Sequence, residues 1–358
     1  MNMKKLVALL LALVMVVAVL GACSSEKPEE SKAPAEESKA PAEESKAPAE
    51  EPETPDAGGE KAPGSYTADD LNGMTLAFSP KTLNNPFFVG MEDGVKEVAD
   101  QYGIKVESSA PPAETDIEQQ ISMIENFITK KVDGILLSPC GSSELVNVCK
   151  EAIAAGIPVF ILDTPLSEDG EDVYTGFAGT NNYEGGVLAA EWMVEELGGA
   201  GKVGLMDGYA GNSATTARRN GFLDGIEGSD LEIVAEGMGN CERATGMTVA
   251  ESFIQANPDL NAIFCCNDMM VLGTAEAVKQ AGKEDQIIIC GFDGQPEASQ
   301  AILDGDVNAT VAQRPKTMGK MGVEMFVKYM TGESFDRDTD TGCKIVTAEN
   351  AGEYLEYT

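Results

Sequence analysis

From residue 72 to the C-terminus, short runs of β-branched and apolar residues recur at steps of about 25–30 residues, and this alternation constrains the chain more than any other feature. Runs at 74–79, 104–109, 132–138 and 157–163 are each followed by a stretch of helical period, such as 88–102 or 117–130. A step of that size is one βα unit, and strands joined through a crossover helix pair in parallel. The second half repeats the pattern with strands at 202–207, 231–237, 262–267, 287–293 and 308–313. Helices fall between them at 218–226, 243–256 and 269–281. Two like sets predict an α/β protein of two doubly wound parallel-sheet lobes.

The residues before the alternation have a different character. Lys4 and Lys5 precede fifteen uncharged residues, 6–20, and then Leu20-Gly21-Ala22-Cys23. A basic start, a short apolar run and small residues mark a secretory leader, and fifteen residues are too few for a membrane-spanning helix, which needs about 20. The Leu-Gly-Ala-Cys end resembles the bacterial lipobox, so residues 1–23 are expected to be a lipoprotein signal, with Cys23 acylated and anchored to the outer face of the membrane. Residues 24–70 then read as an acidic, Pro-rich tether. EESKAPA occurs three times between 29 and 49, but its seven-residue period lacks apolar a and d positions and contains proline each time, so it is not a coiled coil. With little to bury, residues 24–66 are expected to be disordered, spanning roughly 35–40 Å on average over these 43 residues.

Composition excludes several chemistries. The 358 residues contain no histidine, so there is no imidazole base, no Ser-His or Cys-His pair and no histidine-ligated metal. The net charge of −35 divides into +2 in the leader, −7 over residues 24–66 and −30 in the remainder, which opposes binding to nucleic acid. No cofactor is implied; no G-x-x-x-x-G-K-[ST] phosphate loop is present. Removing Cys23 from the eight cysteines leaves seven, without C-x-x-C spacing, and Cys265, Cys266 and Cys290 fall in apolar strands, so free buried thiols are expected. The acidic run 336–342 has calcium-loop spacing for three aspartates, but its glycine is one place late and Thr347 stands where the last ligand belongs; it reads as a solvated turn.

In open α/β sheets ligands bind beyond the carboxyl ends of the strands. Here those ends are polar: Ser138, Asp163, Asn267, Asp293 and Gln313. Five hydrogen-bonding residues at five strand ends are expected to line one crevice between the lobes. Asp268, beside Asn267, reads as the N-cap of the next helix. In the first βα loop, Asn85-Pro86-Phe87-Phe88 places an amide and two aromatic rings at a helix start, suited to hydroxyls and to the C–H faces of a sugar ring. Arg218 reads as opening its helix, an unfavourable end for a cation unless an anion or ligand compensates it; Arg219 reads as surface.

The stretches TLNNPFF (82–88), ILLSP (135–139), IPVFILD (157–163), AGNSATTARRNGF (210–222), IFCCND (263–268), IIICGFDG (287–294) and ATVAQRP (309–315) resemble the ribose- and galactose-type periplasmic sugar-binding proteins, in order and across 72–358. The resemblance implies two lobes, 71–180 with 314–341 and 181–313 with 342–358, joined by three crossing strands. It also implies a monosaccharide or polyol ligand, delivery to an ABC permease with its ATPase, and a monomer. It places Asn85, Phe87, Phe88, Ser138 and Asp163 on the ligand from the first lobe, and Arg218, Asn267, Asp293 and Gln313 from the second lobe and hinge. Thr164 stands where the ribose-type pattern has arginine, and Cys241 where it has an aromatic ring, which argues against ribose itself. A sensor subunit presenting its ligand to a membrane receptor shares every one of these residue arguments. An enzyme using Asp163 and Asp293 as paired carboxylates is the remaining alternative.

Overall fold

The computed structural model describes residues 61–170 and 172–357. Two six-stranded sheets frame it. The first contains β1 (Thr75–Ser79), β2 (Lys105–Ser108), β3 (Gly134–Leu137), β4 (Val159–Asp163), β5 (Gly176–Gly179) and, late in the chain, β11 (Asp338–Asp340), in the order β11-β5-β4-β3-β1-β2. The second contains β6 (Ala200–Asp207), β7 (Asp230–Met238), β8 (Ala262–Cys265), β9 (Ile288–Asp293), β10 (Ala309–Ala312) and β12 (Lys344–Val346), in the order β12-β10-β9-β8-β6-β7. Every pairing is parallel except β10 with β12. In both sheets the strand order reverses at the first strand, between β1 and β3 and between β6 and β8, which opens a crevice at the carboxyl ends.

Nine helices connect these strands among the described residues: α1 (Pro86–Ala99), α2 (Ile117–Lys130), α3 (Val146–Ala154), α4 (Asn182–Glu196), α5 (Ser213–Gly225), α6 (Arg243–Ala256), α7 (Asp268–Ala281), α8 (Pro296–Asp304) and α9 (Pro315–Thr331). Local sequence explains their ends. Asn85 accepts a hydrogen bond from the Phe87 amide while Pro86 fixes the first helical φ, and α7 stops where Gly282 turns left-handed at φ 63°. The central strands β3, β4, β8 and β10 are buried at every residue, as sheets covered by helices on both faces require.

Apolar cores lie on both faces of each sheet. Phe222 of α5 stacks on Phe264 of β8 with centroids 4.4 Å apart and planes 10° from parallel, both rings fully buried. Each such ring contributes about 2–3 kcal/mol by leaving water. α4 and α5 approach closely because Gly186 faces the Arg218 carbonyl; a Cβ at 186 would lie 2.1 Å from that oxygen. This contact fixes the height of α5, and with it Arg218.

The chain passes between the sheets three times, after Gly179, after Ala312 and after Asp340. The expected fold class is thus borne out, and all nine strands read from sequence match to within two residues at each end. Four readings are corrected. Strand β5 was not read, because GFAG offers little β propensity. The segment 336–342 is not simply a solvated turn: 338–340 form edge strand β11, with the Asp338 carboxylate accepting from Tyr174 and that of Asp340 from the Asn181 and Gly342 amides. Arg218 lies in the middle of α5 and does not open it. Asn267, and not Asp268, caps α7, its side chain accepting from the Met270 amide; Asp268 is instead fully buried, accepting from Thr310 Oγ1 at 2.7 Å and the Gln295 amide at 2.8 Å. All seven described cysteines are unbridged, and six are buried. Cys23, the leader and the tether to residue 60 lie outside the described residues.

Candidate functional site

Eight of the ten candidate residues line one space between the two lobes. Asn85, Phe87, Phe88 and Asp163 face it from the first lobe, and Arg218, Cys241, Asn267 and Asp293 from the second. Ser138 and Gln313 do not line it. They stand directly behind it, where Ser138 Oγ donates to Asp163 Oδ2 at 3.3 Å and Gln313 Nε2 donates to Asp293 Oδ1 at 2.8 Å.

The two aspartates hold corresponding places, each the last residue of a strand whose backbone turns through positive φ: 66° at Asp163 and 120° at Asp293. A non-glycine residue in that region is strained, and such strain collects where a side chain must be aimed. Gly294 follows at φ 68°, and a Cβ there would lie 2.4 Å from that of Ala312, so the turn beneath Asp293 requires glycine.

Arg218 is 4% exposed and held by three hydrogen bonds. Its Nε donates to Asn182 Oδ1 at 2.7 Å, and its Nη1 to the Cys266 carbonyl at 2.7 Å and to Asp293 Oδ1 at 3.0 Å. The guanidinium also lies 3.8 Å above the Phe292 ring. Burial pushes the Asp293 carboxyl upward, and the Arg218 cation and the Gln313 amide oppose that rise. The opposite wall is aromatic. Phe87 and Phe88 meet edge to face at 5.2 Å and 86°, each 2% exposed, so both belong to the core of the first lobe as well as to the pocket wall. Cys241, at φ 57° in the turn before α6, contributes a small thiol that burial keeps protonated.

Five further lining residues escaped the sequence reading: Lys81, Glu114, Asn212, Ala214 and Thr215. Asn212 had a usable signal, as an asparagine opening a helix inside the strongest motif; it caps α5 through the Ala214 and Thr215 amides. Lys81 and Glu114 had none, since a charged residue in a loop ordinarily faces water. Gln120 of α2, fully buried, supports the site from outside it, donating to the Ser138 carbonyl and accepting from the Cys140 amide.

The lobes are closed on each other. Ser142 Oγ donates to Ser213 Oγ at 2.7 Å, Ser213 Oγ to the Pro165 carbonyl at 3.1 Å, and Tyr209 hydroxyl to the Cys140 carbonyl at 2.8 Å. Deeper in, Gln295 Nε2 donates to Asn85 Oδ1 at 3.0 Å. The pocket is thereby shut from most solvent, where each hydrogen bond to an enclosed solute gains strength.

Two parallel-sheet lobes, three chain crossings and a polar, aromatic-walled pocket between them define a solute-binding protein of the two-lobed kind. The chain belongs to the periplasmic binding protein family: the model of the periplasmic binding protein domain matches residues 76–334. The ribose import binding protein of Bacillus subtilis is 34% identical over 76% of this chain and 87% of its own length. The D-allose-binding periplasmic protein of Escherichia coli is 33% identical over the same shares. A solved ABC transporter solute-binding protein from Agrobacterium vitis with bound D-fucose superposes with a TM-score of 0.75 at 35% identity, covering 77% of this chain and 96% of that one. The expected resemblance is thus borne out, and the protein is a sugar-binding component of the ABC import type and not an enzyme. No helix among the described residues is long and apolar enough to cross a membrane.

Proposed function

We propose that this protein captures a single monosaccharide or polyol in the interlobe pocket and hands it to an ABC permease and its ATPase. Asp163, Asn85 and the Phe87–Phe88 wall hold the solute from the first lobe; Arg218, Asn267, Asp293 and the Cys241 turn hold it from the second. Ser138 and Gln313 act from behind by fixing the two aspartates. The lobes comprise 71–180 with 314–341 and 181–313 with 342–358, and bend at the three crossings. The observation that carries this reading is convergence: polar strand ends from both sheets, two of them at strained backbone, meet in one pocket that interlobe hydrogen bonds close.

Cys241 removes aromatic surface from one wall and Thr164 removes a fork of donors from another, so the reading favours a pentose, hexose or polyol other than ribose. The protein acts as a monomer, since the lobes complete the pocket within one chain. It is held on the outer face of the membrane through acylated Cys23, with the acidic tether giving it reach. The test is a thermal-shift screen of the purified protein over D-ribose, D-allose, D-fucose, D-arabinose and myo-inositol, followed by calorimetry. A ligand at 100 times its dissociation constant adds about 2.7 kcal/mol, and a panel in which no compound raises the midpoint overturns the sugar reading.

A further inference from the structure

Besides Arg218, two charged residues line the pocket without belonging to the set of strand-end groups. Lys81 comes from the loop between β1 and α1 and is 2% exposed; Glu114 comes from the loop before α2 and is 7% exposed. Lys81 Nζ donates to Thr164 Oγ1 at 2.7 Å, lies 3.3 Å from Asp163 Oδ2, and stands 5.9 Å from the centre of the Phe88 ring. An ammonium has three donors, and these contacts occupy two. Glu114 Oε1 accepts from Asn85 Nδ2 at 3.0 Å, the single hydrogen bond of a carboxylate that can accept about four.

Burying a charged or polar group costs free energy unless its hydrogen bonds are completed, so a buried ammonium and a buried carboxyl, both half-satisfied on one pocket wall, call for a further partner. Each adjoins a residue already assigned to the ligand: Lys81 touches Asp163, and Glu114 touches Asn85. Asn85 in turn receives Gln295 from the other lobe, so Glu114 joins the contact made on closure. Thr164 is small enough to admit the Lys81 head group beside Asp163, and its own hydroxyl donates to Asp163 Oδ2 at 2.7 Å.

We infer that Lys81 and Glu114 are ligand-contacting, specificity-determining residues that together read a pair of neighbouring hydroxyls on the solute. The ammonium donates to one hydroxyl oxygen and an oxygen of the Glu114 carboxyl accepts from the next, so the preferred ligand presents a vicinal diol to this wall. The inference rests on the sugar-binding reading of the pocket and deepens it. A site built to hydrogen-bond a hydroxyl rejects the analogue lacking it far more strongly than a hydrophobic pocket rejects a missing methylene.

The experiment takes the sugar of the panel that gives the largest thermal shift, with its monodeoxy analogues, and titrates them by calorimetry into wild type, Lys81→Met and Glu114→Gln. Each variant should bind the parent sugar at least 30-fold more weakly than wild type. For the deoxy analogue lacking the hydroxyl that Glu114 reads, wild type and Glu114→Gln should have equal affinity, and likewise for a second position with Lys81→Met. Parent affinities within 3-fold of wild type in both variants, with binding abolished in Asp293→Ala, overturn the inference and leave the sugar reading standing. Absence of binding by wild type to any panel member removes both. If Lys81→Met does not fold, Lys81→Arg with the same deoxy series supplies the reading: an unchanged analogue ranking overturns the role of the ammonium.

Discussion

Glu114→Gln converts the burial of the Glu114 carboxyl into a measurable dependence on pH. Burial raises its pKa from 4.5 to about 7, against the opposing pull of Lys81 and of the Asn85 amide, with Asp293 and Asp163 adding to the rise. In the folded protein the group therefore keeps its proton up to about pH 7, whereas in the unfolded chain it releases it near 4.5. Between those values the folded state binds more protons, so this group's contribution to stability falls as pH rises through the interval and levels off above it. A shift of about 2.5 units at about 1.4 kcal/mol each amounts to ~3 kcal/mol. Glutamine cannot ionise, keeps an oxygen for the Asn85 amide and occupies the same volume. The variant should match wild type near pH 4.5 and exceed it by up to ~3 kcal/mol at pH 8, about 5 °C in midpoint for a folded body of this size. Scanning calorimetry of both proteins in steps from pH 4.5 to 8 without ligand reads the difference. A gap that does not change with pH, or a variant less stable than wild type at pH 8, would refute the claim that Glu114 is held in a desolvating pocket.

Asp293→Ala should abolish saturable binding of the preferred sugar with the circular dichroism spectrum retained; unchanged calorimetric affinity would remove Asp293 from the site. Gly186→Ala places a methyl 2.1 Å from the Arg218 carbonyl, so it should cost about 1–3 kcal/mol in urea unfolding, and an unshifted midpoint would show that α4 and α5 are not held as described. Tyr209→Phe deletes one interlobe hydrogen bond worth about 1 kcal/mol and present only when the lobes are closed. Sugar affinity should drop about 5-fold with stability nearly unchanged, and equal affinity would mean that this bond does not favour closure. Cys23→Ala should move the protein from the membrane fraction to the soluble fraction of cells; retention with the membrane would count against acyl anchoring.

Periodicity made the lobes legible. Parallel strands buried on both faces produce apolar runs of fixed spacing, and the polar residues ending those runs stand out against them, which is why Asp163, Asn267 and Asp293 could be placed from the chain alone. Strands β5, β11 and β12 were not legible. β5 contains two glycines, and β11 and β12 have three residues each, so their identity as strands comes from the neighbours they pair with. The same limit applies to Asp268. A helix-start aspartate reads as a cap, and only the approach of Thr310 and Gln295 from other segments shows that it instead ties β10 to the turn after β9.

By itself, the sequence determined the two-lobed α/β class, the polar strand ends and the absence of imidazole chemistry, because these depend on local period and residue type. Tertiary structure decided which polar groups share the pocket. It set Ser138 and Gln313 behind the wall and drew Lys81 and Glu114 onto it from loops that look solvated in sequence. The physical reason is that burial of a loop charge depends on what another segment lays over it: here Thr164 and Asp163 at Lys81, and Asn85 with its Gln295 contact beside Glu114. No local pattern in the chain records that closure.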